Sequence, residues 1–150
     1  MAMFGFGQLV SRESRRRPGQ IIHVPEFMLH IQCQWRIVHD GKILVGYGDW
    51  HWPPAGSDIA YDEFKEADAP RSRRDDLIDA FSAHGKTVHT VVRAEGATTG
   101  DLQISFADGC ILEVFPTYAT QDDPHDEHWR LLPPDDGPHF VVTAHGIETV

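Results

Sequence analysis

The chain has 150 residues, of which 41% are hydrophobic, and its formal net charge is -10. This length suits one domain with a sizeable core, the apolar fraction excludes wholesale disorder, and no apolar run reaches the roughly 18 residues of a membrane span. The 2 cysteines cannot form a secreted disulfide framework. Because the net charge is negative, we expect no nucleic-acid partner, and we expect no membrane partner either.

Positive charge is concentrated in residues 1–20. The charged side chains there are Arg12, Arg15, Arg16 and Arg17 against the single acid Glu13. We interpret residues 1–20 as a basic arm, ordered or flexible, in front of a single domain over residues 21–150. The segments 49–81 and 118–150 are acidic, so the body of the domain opposes the arm in charge. No basic n-region and no long apolar h-region open the chain, which predicts a cytoplasmic protein with reduced cysteines.

A strand with one buried face is predicted over residues 27–38. Its apolar positions alternate with polar ones and are Phe27, Leu29, Ile31, Cys33, Trp35 and Ile37. A turn at residues 39–41 leads into a second predicted strand, residues 42–50. Residues 21–24 fit an additional edge strand.

The turn of this first hairpin can have two or three residues, and the side chains distinguish the two registers. A three-residue loop pairs Ile37 with Ile43 and Trp35 with Val45, whereas a two-residue loop places Trp35 opposite Gly46. A slip of one residue moves a whole set of side chains to the other face. The apolar match therefore favours the three-residue loop.

A second hairpin follows the same plan, with strands at residues 101–106 and 110–116. A three-residue loop pairs Ile104 with Leu112, and Gly109 takes the positive φ angle that glycine tolerates best. In this register the side chain of Glu113 lies on the face of the sheet opposite to Ile104 and Leu112.

One helix is predicted between the hairpins. Ser72 is its N-cap, and Asp75 is the capping-box acid three residues later. The apolar stripe consists of Leu77, Ile78 and Phe81. Gly85 is expected to end the helix.

Further strands are predicted at residues 86–95, 127–132 and 139–144. Two irregular acidic segments, residues 51–71 and 117–126, separate the regular elements. One helix with six to eight strands indicates an α+β fold: a mostly antiparallel β-sheet built of hairpins, with one main α-helix packed on it.

Aromatic side chains cluster near the long loop 51–71. They are Tyr47, Trp50, Trp52, Tyr61 and Phe64. Such rings can stack on a sugar, a base or a side chain of a partner, and Trp is favoured at the centres of protein interfaces. The alternative is that they only cover one end of the sheet. Because long loops in compact domains are often functional, we take Tyr47, Trp50, Trp52 and Tyr61 as candidate binding residues.

The 10 histidines raise the question of a metal ion. The candidate ligands are His125, Asp126 and His128, and Pro124 suits the start of a helical turn that would place both histidines on one side. In an extended chain the two rings would point apart, and tetrahedral zinc needs three or four converging ligands. The alternative is a solvated acidic loop.

Motifs for nucleophilic catalysis and phosphate binding are absent from the sequence. It contains no G-x-S-x-G elbow, no paired C-x-x-C and no phosphate-binding glycine loop. Cys33 and Cys110 lie among apolar neighbours, where a reactive thiolate is disfavoured. We therefore predict no catalytic residue, and no cofactor other than a divalent metal.

Several strand-and-turn motifs together suggest a family. They are LHIQC-x-WR at residues 29–36, GDL…F-x-x-G-x-x-LEVFP at residues 100–116, WRL at residues 129–131 and HFVV at residues 139–142. With these motifs, over nearly half of its length, the chain resembles a family of small uncharacterised actinobacterial proteins. The resemblance implies no activity, cofactor or catalytic residue. As a small acidic α+β protein, the chain is also similar to immunity proteins that neutralise bacterial toxins, which is an analogy at the level of fold.

The first functional hypothesis is a non-enzymatic protein-binding domain, immunity-like, whose acidic surface and aromatic loop contact a basic protein partner. The alternative is a metal-binding domain or metal-dependent enzyme that uses the loop of His125 and His128. A homodimer through an exposed sheet edge is the third hypothesis.

Overall fold

The computed structural model describes residues 1–14, 16–66, 71–83, 85, 87–118, 127–133 and 137–150. In chain order the elements are β1 (Ala2–Glu13), β2 (Ile21–Ile31), β3 (Gln34–His39), β4 (Lys42–Gly46), a 3-10 helix (Tyr47–His51), α1 (Tyr61–Glu66), α2 (Arg73–Phe81), β5 (Val91–Gly96), β6 (Leu102–Phe106), β7 (Ile111–Phe115), β8 (Glu127–Leu132), β9 (Phe140–Thr143) and β10 (Gly146–Thr149). The predicted α+β class, mostly antiparallel strands with one main helix, is confirmed. In the part of the chain that the structure describes, no helix is both long and apolar enough to cross a bilayer.

The strands form two five-stranded antiparallel sheets, and each sheet is the centre of one compact unit. Unit 1 consists of Met1–Cys33, Thr98–Gly100 and Pro116–Val150, and its strand order is β1-β2-β8-β9-β10. Unit 2 consists of Gln34–Ala97 and Asp101–Phe115, and its strand order is β4-β3-β7-β6-β5. The single domain expected over residues 21–150 thus contains two units that interleave along the chain.

Residues 1–20, interpreted from the sequence as a basic arm, contain strand β1. It pairs antiparallel with β2 from Ala2 opposite Ile31 to Glu13 opposite Ile21, with an irregularity in register next to Gly7. The sequence did not reveal this strand because glycine is depleted in strands, and β1 contains Gly5 and Gly7. At Gly7 the φ angle is +79°, which glycine adopts at low cost and which suits a bulge.

The continuous strand predicted over residues 27–38 is wrong, because the chain breaks at Gln32 and Cys33. The backbone N–H groups of both residues donate to the carbonyl oxygen of His128, at 2.8 and 3.1 Å. The chain therefore leaves one sheet and enters the other at this point. Alternate side chains nevertheless stay buried on both sides of the break: Leu29, Ile31, Cys33, Trp35 and Ile37 are at most 2% exposed. The period of two is preserved, so the pattern carries no sign of the break.

The three-residue loop predicted for the first hairpin is also wrong. The turn has two residues, Asp40 and Gly41, with φ angles of 48° and 71°. Positive φ at both positions is the type I′ geometry that two-residue hairpins favour. A bulge then brings Val45 opposite Ile37, so an apolar pair forms, but neither predicted pair, Ile37 with Ile43 or Trp35 with Val45, is present. The strand ends at Gly46 instead of continuing to residue 50.

The second hairpin is confirmed in loop length and register. Ile104 pairs with Leu112, and Gly109 has a φ angle of +85°. Leu112 is fully buried. Its neighbour Glu113 lies on the other face, where its Oε2 is 2.5 Å from Nε of Arg36.

The predicted N-terminus of the main helix is confirmed, and α2 packs against β4 within unit 2. Ser72 is the N-cap, and its backbone N–H donates to Oδ2 of Asp75 at 2.7 Å. Burial opposes ionisation of Asp75, but the hydrogen bonds from Ser72 outweigh it, so the pKa of this carboxyl is lowered. The helix ends at Phe81, four residues before the predicted Gly85.

Removal of the N-cap tests this assignment. Ser72→Ala should lower the free energy of unfolding by about 1 kcal/mol, because the first turn of α2 loses its side-chain cap. Urea unfolding followed by circular dichroism measures the loss. Ser72→Thr, a similar cap, should retain most of the stability, and an alanine variant as stable as the threonine variant would contradict the capping role.

The later elements partly match the prediction. β8 has the predicted bounds, β9 is shorter than predicted, and β5 begins at Val91 instead of residue 86. β10 was not predicted; it pairs with β9 around a turn in which Gly146 has a φ angle of +132°. Most of the predicted acidic loop 117–126 lies outside the described residues.

Candidate functional site

The candidate site begins where β4 ends in unit 2. Gly46 precedes the 3-10 helix, and its backbone N–H donates to Oδ2 of Asp49 at 2.8 Å, which fixes the first turn. A Cβ atom at Gly46 would lie 3.2 Å from the carbonyl oxygen of Trp35, so glycine permits this close approach. The helical turn carries Tyr47 and Trp50.

Two further rings come from the segment after this turn. The ring centroids of Trp52 and Tyr61 are 4.7 Å apart. Phe64, also in α1, is only 8% exposed and anchors that helix. The carbonyl oxygen of Trp52 accepts the backbone N–H of Arg73 at 2.9 Å, which joins the segment to the start of α2.

Two arginines in the first turn of α2 lie over the indole rings. The guanidinium carbon of Arg74 is 4.2 Å from the Trp50 ring centroid, and that of Arg73 is 5.5 Å from the Trp52 centroid. Each cation–π contact at an exposed site is worth about 0.5–1 kcal/mol. Together these contacts hold both indoles in one arrangement before any partner binds.

The rings nevertheless remain accessible. Tyr47, Trp50, Trp52 and Tyr61 are 36%, 51%, 45% and 41% exposed. We call these four residues the aromatic surface. The structure thus places the four predicted binding residues in one continuous segment of unit 2, close to α2, and buries the fifth aromatic residue, Phe64.

Acidic groups near the aromatic surface differ in whether they are already paired. Arg71 forms 2.8 Å contacts with both Asp76 and Asp79, and these hydrogen bonds raise the pKa of its guanidinium. One guanidinium thus pairs with two carboxylates of α2, and this cluster keeps one negative charge. Asp62 and Glu63, in the first turn of α1 next to Tyr61, are exposed and keep the local charge negative.

The sequence analysis missed the role of Arg73 and Arg74. A usable signal was present, because basic residues are disfavoured by the helix dipole in a first turn. Two arginines directly after the N-cap Ser72 are thus not explained by helix stability. Their contacts with Trp50 and Trp52 supply the explanation.

The metal hypothesis has only one of its three residues in the described part of the chain. His128 lies in β8, is 2% exposed and contacts the Tyr118 ring edge-to-face at 4.9 Å between centroids. His125 and Asp126 lie outside the described residues. Among those described, no three His, Cys, Asp or Glu side chains are grouped so that they could hold a metal ion. The metal site stays a hypothesis.

His128 also lines a pocket in unit 1 of about 340 Å³. Hydroxyl-bearing residues form much of its wall, namely Thr98, Thr99, Thr117, Tyr118 and Thr143. The described lining residues include no Asp, Glu, Lys or Arg. This pocket could not be anticipated from sequence patterns, because its walls come from four separate segments of the chain.

No protein-family model, curated protein or solved structure matches the chain. The fold and the site define its class: an α+β, mostly antiparallel β protein with an exposed, pre-arranged aromatic surface.

Proposed function

We propose that the chain is a non-enzymatic, cytoplasmic protein-binding domain, comparable in style to immunity proteins, and that the aromatic surface contacts a basic protein partner. The observation that carries this proposal is the position of Trp50 and Trp52, each about half exposed although a guanidinium lies over its ring. The cytoplasmic location is supported by Cys33 and Cys110, which do not form a disulfide bond with each other.

Pre-arranged rings suit a binding site for energetic reasons. Binding costs free energy when mobile side chains must be ordered at the interface. Arg73 and Arg74 already restrict Trp50 and Trp52, so the cost at these positions is reduced. Tryptophan and tyrosine are also the residues most often found at interface positions that dominate affinity.

The local charge favours a basic partner. Residues 49–64 contain four acids, Asp49, Asp58, Asp62 and Glu63, and these outnumber the two arginines of α2 that lie over the indole rings. Opposite charge on a partner would raise the rate of association, and this effect is screened by salt over about 8 Å at physiological ionic strength. Binding through this surface should therefore weaken as salt concentration increases.

A random peptide library displayed on phage tests the proposal even though the partner is unidentified. Selection on the immobilised protein should yield peptides rich in Lys or Arg together with apolar residues. The double variant Trp50→Ala, Trp52→Ala should bind the selected peptides at least about 100-fold more weakly, because two central contacts are lost. Calorimetry at two salt concentrations measures the affinities.

The matched control removes equally exposed apolar side chains elsewhere. Met3→Ala with Leu9→Ala, on β1 of unit 1, should leave the affinity unchanged although both residues are more than 60% exposed. Circular dichroism must show that both double variants are folded. Selected peptides without basic residues, or equal binding by the tryptophan variant, would contradict the proposal.

A further inference from the structure

The outer strand of the unit 2 sheet is β5, which pairs with β6 and forms one end of the strand order. Each of its six residues is exposed. An edge strand of this kind presents unpaired backbone N–H and C=O groups, which can bond to another strand.

The backbone groups that face outward can be assigned from the ladder with β6. The N–H of Ala97 donates to the carbonyl oxygen of Asp101 at 2.9 Å, and Glu95 lies opposite Gln103 in the same register. Bonded pairs alternate along an antiparallel ladder, so Arg93 and Glu95 bond to β6. The groups of Ala94 and Gly96 therefore face outward, and these two residues are small enough for a close approach.

We propose that β5 is the interface of a homodimer, in which two copies pair antiparallel about a two-fold axis at Ala94. In this register Arg93 lies opposite Glu95 of the second copy, and Glu95 lies opposite Arg93, so the strand is complementary to itself in charge. This interface uses residues other than those of the aromatic surface and goes beyond the proposed function.

The charges select this register over its neighbours. Within the chain, Nη2 of Arg93 is 2.6 Å from Oε1 of Glu95, which shows that both head groups lie on one face of β5. A two-fold axis at Arg93 or at Glu95 would place like charges directly opposite each other, which is destabilising. With the axis at Ala94, the two Ala94 residues form a hydrogen-bonded pair. Arg93 and Glu95 then face each other in non-hydrogen-bonded pairs, in which cross-strand side chains are closest.

Exposed valines add an apolar contribution. Val88, Val91 and Val92 are 88%, 41% and 63% exposed and lie at one end of the proposed pairing. A second strand laid along β5 would remove part of this surface from water. The bulge between Val91 and Arg93 leaves Arg93, Ala94 and Glu95 as the regular part of this self-pairing, so the interface is short and we expect a dissociation constant in the micromolar range.

A two-fold pair is closed, because each copy uses its β5 edge once. The proposed species is therefore a dimer and not a filament. Sedimentation equilibrium of the full chain over a concentration series from micromolar to millimolar should show a reversible monomer–dimer equilibrium.

Charge reversal tests the register. Arg93→Glu places like charges opposite each other twice and should raise the dissociation constant at least about tenfold. The double variant Arg93→Glu, Glu95→Arg restores opposite charges and should return the dissociation constant to near the wild-type value. The exchange also restores the ion pair between residues 93 and 95 within each chain. Urea unfolding of the dilute monomer must therefore show that Arg93→Glu leaves the stability of the monomer nearly unchanged, so that the shift in the dissociation constant belongs to the contact between copies.

Lys42→Glu is the matched control, because it reverses an exposed charge on β4, the other edge strand of this sheet. It should leave the dimer unchanged, and so should the double variant Trp50→Ala, Trp52→Ala. A wild-type chain that is monomeric up to millimolar concentration would overturn the proposal. The proposal would also be overturned if Arg93→Glu left the dissociation constant unchanged, or if the double variant Arg93→Glu, Glu95→Arg did not restore it. Loss of the dimer in the tryptophan variant would overturn it as well.

Discussion

Replacing Gly100 by alanine should lower the free energy of unfolding by about 3 kcal/mol, because two separate costs add at this position. The φ angle of Gly100 is +88°, a conformation that costs an L-residue about 1–2 kcal/mol. The added methyl group would also lie 2.8 Å from Cγ1 of Val142. Val142 is only 1% exposed, so its side chain has little room to move away.

The surroundings of Gly100 explain why the backbone cannot relax easily. Its carbonyl oxygen accepts the indole N–H of Trp129 at 2.6 Å, and Trp129 is 5% exposed. A shift of the backbone that relieved the contact with Val142 would lengthen this buried hydrogen bond. An unsatisfied buried acceptor costs about 1–3 kcal/mol, so neither route is favourable.

Gly19→Ala is the matched control for the backbone contribution. Gly19 has a similar φ angle, +82°, but no atom lies within 4 Å of the position of an added Cβ. It should therefore lose only the conformational cost, about 1–2 kcal/mol. Urea unfolding of both variants measures the difference, which is the cost of the contact with Val142. Equal losses in the two variants would show that the Val142 side chain yields without cost.

Features that depend on neighbours in sequence were predictable. The N-cap Ser72 with Asp75, and the loop before Gly109, follow from a few adjacent residues, and both are confirmed. The four rings of the aromatic surface lie close together in sequence, and all four are exposed in the structure. The arrangement of these rings could not be derived from the sequence, because it depends on the contacts of Arg73 and Arg74 with Trp52 and Trp50.

Features that depend on distant partners were not predictable. At the break after Ile31 the backbone bonds to the carbonyl oxygen of His128, almost one hundred residues away in sequence. Alternation of side chains continues through the break, so the local pattern is the same for one strand or two. The bulge before Val45 was missed for a related reason, since a bulge changes the register without changing the composition of the strand.

Replacing His89 by phenylalanine should cost about 2 kcal/mol at pH 7, because the ring contact is kept while two hydrogen bonds are lost. Nδ1 of His89 lies 2.6 Å from Oδ2 of Asp108, and Nε2 lies 3.1 Å from the carbonyl oxygen of Phe81. A carboxylate and a carbonyl only accept hydrogen bonds, and phenylalanine has no donor, so it can replace neither contact. The imidazole is also stacked on the Phe81 ring, with centroids 4.0 Å apart and planes 2° apart.

His89→Ala removes the stacking as well and should cost about 1 kcal/mol more than His89→Phe. The position is important because Phe81 is the last residue of α2 and Asp108 lies in the loop between β6 and β7. One side chain thus connects the C-terminus of the helix with the confirmed hairpin, inside unit 2. Urea unfolding of the wild-type protein and both variants gives the two contributions separately.

The contribution of Asp108 should depend on pH in a defined direction. The backbone N–H of Cys110 donates to this carboxylate, His89 lies against it, and together they lower its pKa in the folded chain. A carboxyl whose pKa is lowered by folding stabilises the folded state above its unfolded pKa, about 3.9, and loses this effect as pH falls through the lower folded value. The stability difference between wild type and His89→Phe should therefore be larger at pH 7 than at pH 3.

Asp108→Asn separates the charge from the hydrogen bond to Cys110, which an asparagine oxygen can still accept. In this background His89→Phe should cost about half as much as in the wild type, because the ionic part of the contact is already absent. The side chain of Asp108 is 42% exposed, so solvent screening keeps the coupling energy between His89 and Asp108 at about 1 kcal/mol. If His89→Phe cost the same in both backgrounds and at both pH values, the contact between His89 and Asp108 would contribute nothing to stability. The loss would then belong to the bond with Phe81 at the end of α2.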